Sequence, residues 1–138
     1  MNVVVLIGRI LFAALFLGSA FGHFAQRKQM AEYAGYKGVP VPELSVLASG
    51  VLLLVGGLSV LLGVWADLGS LLLVVFLVPA ALLMHAFWKE SDAQVKQQEM
   101  INFNKDIGLA GAALMLFAFF SHVGADLGLT LTGPLFHI

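Results

Sequence analysis

The sequence predicts an all-α membrane protein, a four-transmembrane-helix bundle with short interfacial helices in its first and third connections. Two observations carry this reading. Of 138 residues, 60% are hydrophobic and 11% are charged, where a soluble domain carries roughly 25% charged residues. There is too little polar surface here to cover a water-soluble globule. The stretch Leu68 to Trp88 holds an apolar run of about 18 residues, long enough to cross a hydrocarbon core at about 1.5 Å per residue. It stops at His85-Ala86-Phe87-Trp88, followed by Lys89-Glu90. Aromatic rings favour the membrane–water boundary, and a Lys just beyond it anchors the end.

The first span is expected over residues 3–24, with Arg9 near its start. Gly18-Ser19-Ala20 resembles a cleavage site, but no cation precedes Val3, which favours an uncleaved span over a secretory signal. Ala14, Gly18 and Gly22 recur every four residues and define a small-residue face for helix packing. Ala25 to Tyr36 has helical spacing and reads as an interfacial helix, ended by Gly35, Gly38 and the extended Val39-Pro40-Val41-Pro42. The second span is expected over residues 44–66. Ser49, Gly56 and Gly63 repeat every seven residues, with Gly50 and Gly57 beside them, as a packing stripe. A tight hairpin at Ala66-Asp67 leads to the third span, residues 68–88, which Pro79 is expected to kink. Ser91 and Gln94 resemble a capping box. The polar helix expected from Ala93 runs into the fourth span, residues 105–123, whose small face is Gly108, Gly111 and Ala112. The tail, 124–138, is too short to cross a bilayer. The chain is thus one membrane domain.

Arg27, Lys28 and Lys37 lie in the first connection, and Lys89, Lys96 and Lys105 in or beside the third. The second connection and the tail have no Lys or Arg. The positive-inside rule places the first and third connections in the cytoplasm and both termini outward. Arg9 opposes the count; it is expected to pair with Asp67 or Asp126.

This sidedness gathers His23, His85, Asn102, Lys105 and Asp106 at one mouth of the bundle, with Tyr33 and Tyr36 able to cover it. Ionisable groups at a span end, facing the interior, are a functional hypothesis. The competing reading is plain: His and Lys at helix ends meet headgroups, and Asp106 complements a helix N-terminus. His122 and His137, on the other side, fit that reading best. The histidine spacing makes no local metal motif, so no metal is assigned. The absence of Cys excludes disulfides, thiolate sites and dithiol exchange with a quinone. A net charge of −1 excludes a nucleic-acid footprint. No paired carboxylates, nucleophile elbow or phosphate-cradling loop is present, so whether the chain is an enzyme stays open.

Several segments together resemble the DoxX family of small four-span bacterial membrane proteins. They are Gly8-Arg9-Ile10-Leu11, Gly35 to Pro42, Gly56-Gly57-Leu58 with Leu62-Gly63, His85-Ala86-Phe87-Trp88, and Asn102-Phe103-Asn104-Lys105-Asp106 before Leu109-Ala110-Gly111. The chain departs from the family where an acid is common in the second span, here near Leu53. It departs again where His-Pro is usual, here His85-Ala86, where a Lys ends the first span, here near His23, and where an Asn follows the fourth-span Lys, here Asp106. The resemblance implies a helix bundle in the bacterial cytoplasmic membrane, with relatives linked to quinone-coupled oxidation and redox defence.

Two functional expectations follow. In the first, the protein is an accessory or scaffold subunit in the lipid bilayer that docks another membrane or cytoplasmic protein, or a second copy, through its cytoplasmic loops or its glycine faces. In the second, it is a quinone-linked oxidoreductase subunit. His85, Trp88, Lys105, Asp106, His23 and Tyr33 then form a pocket for a quinone or lipid headgroup. A hydrophobic-substrate carrier hinged at Pro79 is a third reading.

Overall fold

The computed structural model describes residues Met1–Ile138. It is all helical: α1 (Asn2–Ala25), α2 (Arg27–Tyr36), α3 (Pro42–Leu62), α4 (Ala66–Met84), a 3-10 turn (Phe87–Lys89), α5 (Ala93–Val123) and a second 3-10 turn (Gly124–Asp126). Four segments, α1, α3, Ala66–Lys89 and Ala93–Asp126, are long and apolar enough to cross a membrane. The 31 residues of α5 reach about 47 Å at 1.5 Å each, well beyond the roughly 30 Å hydrocarbon layer. Its polar first turns therefore stand clear of the apolar layer.

The packing order follows from where the small residues lie. Helix α3 sits centrally, against α1, α2 and α4, and α4 carries α5. A methyl group on Gly56 would stand 2.8 Å from Leu73 Cδ2 and 3.0 Å from the Gly69 carbonyl oxygen, so α3 and α4 meet at a backbone approach only glycine allows. Gly50 and Gly57 seat His23, Phe24 and Leu17 of α1 in the same way. The core is Phe16, Leu53, Val60, Leu73, Leu77, Ala110 and Ala113, drawn from all four long helices. The other two small faces are unfilled: nothing lies within 4 Å of a methyl built on Gly18, Gly22, Gly108 or Gly111. Helix α1 buries Arg9, Ala13, Phe16 and Ala20 instead.

At the end where α1 begins, each carbonyl from residues 60 to 64, left over by the α3–α4 turn, finds a donor. The turn is Gly63 to Trp65, three residues earlier than the Ala66-Asp67 hairpin expected, and Gly63 and Trp65 both take positive φ there. The last carbonyls of a helix lack intrahelical donors. Here the Val60 and Leu61 carbonyls accept from Arg9 Nε at 2.8 Å and Nη2 at 2.6 Å. Leu62 accepts from Leu131 N–H, and Gly63 from Thr132 N–H. Thr132 Oγ1 accepts from Trp65 N–H, and Ser59 Oγ donates to Val64 O. Arg9 Nη1 also donates to Leu129 O at 2.7 Å. The expected ion pair is therefore absent: the buried Arg9 bonds only carbonyls. Asp67, also buried, instead accepts from the Leu135 and Phe136 N–H groups. Carbonyl acceptors at a helix C-terminus supply partial negative charge, which satisfies a guanidinium without a carboxylate.

Helix α4 ends at Met84 rather than near Trp88. The rings of Phe87 and Trp88 turn back onto Phe103 of α5, with centroids 5.4 and 5.6 Å away. The α5 cap is Asp92, not Ser91; its carboxylate accepts from Gln94 and Val95 N–H, as an N-cap acid does.

Candidate functional site

A cavity of about 940 Å³ lies at the end of the molecule where α1 finishes and α5 starts its span. Its inner wall is apolar, built from Leu52, Val75, Phe76, Pro79 and Leu83. Val75 and Leu83 are 58% and 42% exposed on the outer face of α4, so the wall continues onto the surface that faces lipid. The other end carries His23, His85, Lys105 and Asp106, beneath Gln26, Glu32 and Tyr33.

Each polar group is placed by a local feature. His85 follows the last helical residue of α4 and leaves helical geometry, at φ −118° and ψ 40°. Anchoring of Phe87 and Trp88 on Phe103 holds this bend. The bend aims the imidazole at α5. Glu99 and Asp106 are seven residues apart there, two turns along one face. His85 Nδ1 is 2.7 Å from Glu99 Oε2 and Nε2 is 3.6 Å from Asp106 Oδ2. With Glu99 ionised, Nδ1–H donates to it, which leaves Nε2 the acceptor of the neutral ring. Lys105 Nζ stands 4.0 Å from Asp106 Oδ1, with its side chain half in water. His23 Nδ1 lies 2.8 Å from the Ser19 carbonyl, and its ring meets Phe76 edge-on.

The chain of charges continues outward. Lys37, between α2 and α3, is 3.1 Å from Glu90 and 3.8 Å from Glu99. Its ammonium lies 5.5 Å above the Tyr33 ring. Burial alone would lower the Lys37 pKa, but the hydrogen bond to Glu90, with the charges of Tyr33, Glu99 and Glu90, raises it above the ordinary lysine value.

Of the residues singled out from sequence, His23, Tyr33, His85, Lys105 and Asp106 share the cavity wall. Trp88 does not; it packs outside, in the aromatic cluster that fixes the bend. Tyr36 is exposed and Asn102 pairs with Gln98, so neither covers the cavity. Glu99, Lys37 and Glu90 escaped as site residues. The heptad spacing from Glu99 to Asp106 was the available signal for the first. The other two are joined only by folding, across 53 residues.

Four helices long and apolar enough to cross a membrane define an integral membrane protein, and its cavity has one ionisable end. The DoxX family model matches residues 4–86. The chain belongs to the DoxX family. It is similar to the inner membrane protein YphA of Escherichia coli strain K12, at 26% identity over 114 residues, covering 83% of this chain and 81% of that protein. No solved structure matches the chain. The family match runs from Val4 in α1 to Ala86 and leaves Glu99, Lys105 and Asp106 beyond it.

Proposed function

We propose that this protein is a membrane subunit that binds the ring head of a lipid-soluble quinone, in the bacterial inner membrane, with the Lys37 and Glu90 side facing the cytoplasm. The observation that carries the reading is the continuity of one cavity from lipid-exposed Val75 and Leu83 to His85, Lys105 and Asp106. Its volume falls within the range that small-molecule pockets occupy. A ligand with an isoprenoid tail lays the tail on α4 and turns its oxygenated ring toward the polar end. Lys105 donates to a ring oxygen, His85 Nε2 and the Asp106 carboxylate accept from the ring hydroxyls of the reduced form, and the Phe76 ring packs the face of the head. Electrons for any turnover come from a partner chain or its cofactor, and the inner-membrane relative is consistent with that setting.

The test is titration of a short-chain hydroquinone, kept anaerobic, into the protein in lipid nanodiscs by calorimetry. His85→Ala and Asp106→Asn are expected to weaken binding about tenfold or more, the value of one or two lost polar contacts, with helicity unchanged. Saturable binding that neither substitution alters refutes the site.

A second reading, an accessory or scaffold subunit, is favoured by the open faces at Gly18 and Gly108–Gly111, where a further helix has room to approach. Under it, Gly18→Leu strips a partner from complexes purified in mild detergent and leaves the hydroquinone titration unchanged.

A further inference from the structure

Glu99, His85 and Asp106 form a line with Lys37 and Glu90 at one end and the cavity at the other. The separations are 3.8 Å from Lys37 to Glu99, 2.7 Å from Glu99 to His85 and 3.6 Å from His85 to Asp106. Imidazole is the side chain that takes a proton on one nitrogen and gives it from the other. A purely structural His–acid contact needs one carboxylate; here both nitrogens face one, and the second carboxylate lines the cavity. The Glu99 side chain is only 9% exposed, so its proton route leads through Lys37 and Glu90, whose carboxylate is the most open of the group at 27%. The 3.6 Å step closes to a hydrogen bond with a ring movement of about half an ångström.

We infer that Asp106, His85 and Glu99 are a proton wire from the cavity to the water boundary, and that the cavity's ligand is a ring bearing an ionisable hydroxyl. This deepens the ring-binding reading above and rests on it. The steps balance without an oxidant. The ligand O–H breaks, its oxygen keeps the electron pair beside Lys105, and the Asp106 carboxylate takes the proton. Asp106 passes a proton to His85 Nε2, Nδ1–H passes to Glu99, and Glu99 releases to water beside Lys37 and Glu90. The charged and titratable groups around His85 are Glu99, Asp106 and Lys105 of α5, Lys37, Glu90 and Tyr33 over its outer side, and His23 on the cavity wall. Glu99 acts through His85 and is a positioning residue; Asp106 meets the ligand.

The experiment is calorimetric titration of the protein in nanodiscs with a short-chain hydroquinone, kept anaerobic, in two buffers of different ionisation enthalpy. The difference between buffers counts protons released on binding. The dimethyl ether of the same ring is the control. Wild type is expected to release protons with the hydroquinone and none with the ether. A route changes how fast protons leave and not how many, so release is timed by stopped-flow mixing with a pH indicator; Glu99→Gln and His85→Asn are expected to release protons about a hundredfold more slowly than wild type. Should either variant fail to keep its helicity, the other carries the comparison, and Glu99→Asp, which keeps a carboxylate, is expected to restore much of the rate. Hydroquinone binding without proton release by wild type, or release as fast in the variants as in wild type, overturns the wire and leaves the ring site standing. Absence of binding by both rings overturns the ring site and the wire together.

Discussion

Replacing Arg9 by Met tests how the end of the bundle away from the cavity is held. Methionine keeps the length and apolar stem of the side chain and removes all three hydrogen bonds. Leu129 is half exposed, so its carbonyl can turn to water. The Val60 and Leu61 carbonyls cannot, since the N–H of Val64 goes to Ser59 and that of Trp65 to Thr132. One buried and one partly buried acceptor lose their partner, at about 1–3 kcal/mol each. Relief of the guanidinium's own burial offsets part of this, and about 2–4 kcal/mol of destabilisation is expected. Arg9→Lys falls between, because an ammonium presents no planar fork to reach two successive carbonyls. Reversible unfolding in mixed micelles, followed by circular dichroism, measures the loss. Amide exchange adds a local readout, with Leu131 and Thr132 losing protection first. A change in Arg9→Met below about 0.5 kcal/mol, within the range of ordinary surface substitutions, with protection of the tail intact, refutes the capping role.

Other outcomes follow from the same geometry. The raised Lys37 pKa contributes stability that is fully present below the ordinary value of 10.5 and lost as pH rises through the higher folded value; thermal midpoints are expected to be insensitive to Lys37 titration near neutrality, and the gap between wild type and Lys37→Met to narrow above about pH 10.5. Gly69→Ala puts a methyl group into Ser59 and is expected to cost about 1–3 kcal/mol by forcing α3 and α4 apart. Gly18→Ala meets nothing and is expected to be neutral or to stabilise by up to about 1 kcal/mol through helix propensity; a marked loss in the isolated protein would show that another chain packs there.

The four spans were legible because lipid leaves so few alternatives: long apolar runs must be helical to satisfy their backbone. The glycine stripe of α3 was legible because its period matched a helix face, and Gly50, Gly56 and Gly57 do meet neighbours. At Gly18 and Gly108 the same rule marks where a helix can approach, without saying whether one of this chain's own does. His23, His85, Lys105 and Asp106 could be grouped because each ends or begins a span on one side. Arg9 was assigned the wrong partners because every residue carries a carbonyl, and a carbonyl leaves no mark in a sequence. Glu99 was passed over as part of a polar helix, since its burial depends on how His85 leaves α4 at a bend that aromatic packing creates 18 residues ahead of Phe103.

The strap from Leu129 to Phe136 is synthesised after α1, α3, α4 and α5, yet it supplies donors that the α3–α4 turn and Asp67 need. A nascent chain with these four helices inserted thus still has an unfinished corner until the ribosome passes Phe136. Shortened products that stop before Leu129 leave the Leu62 and Gly63 carbonyls without these donors.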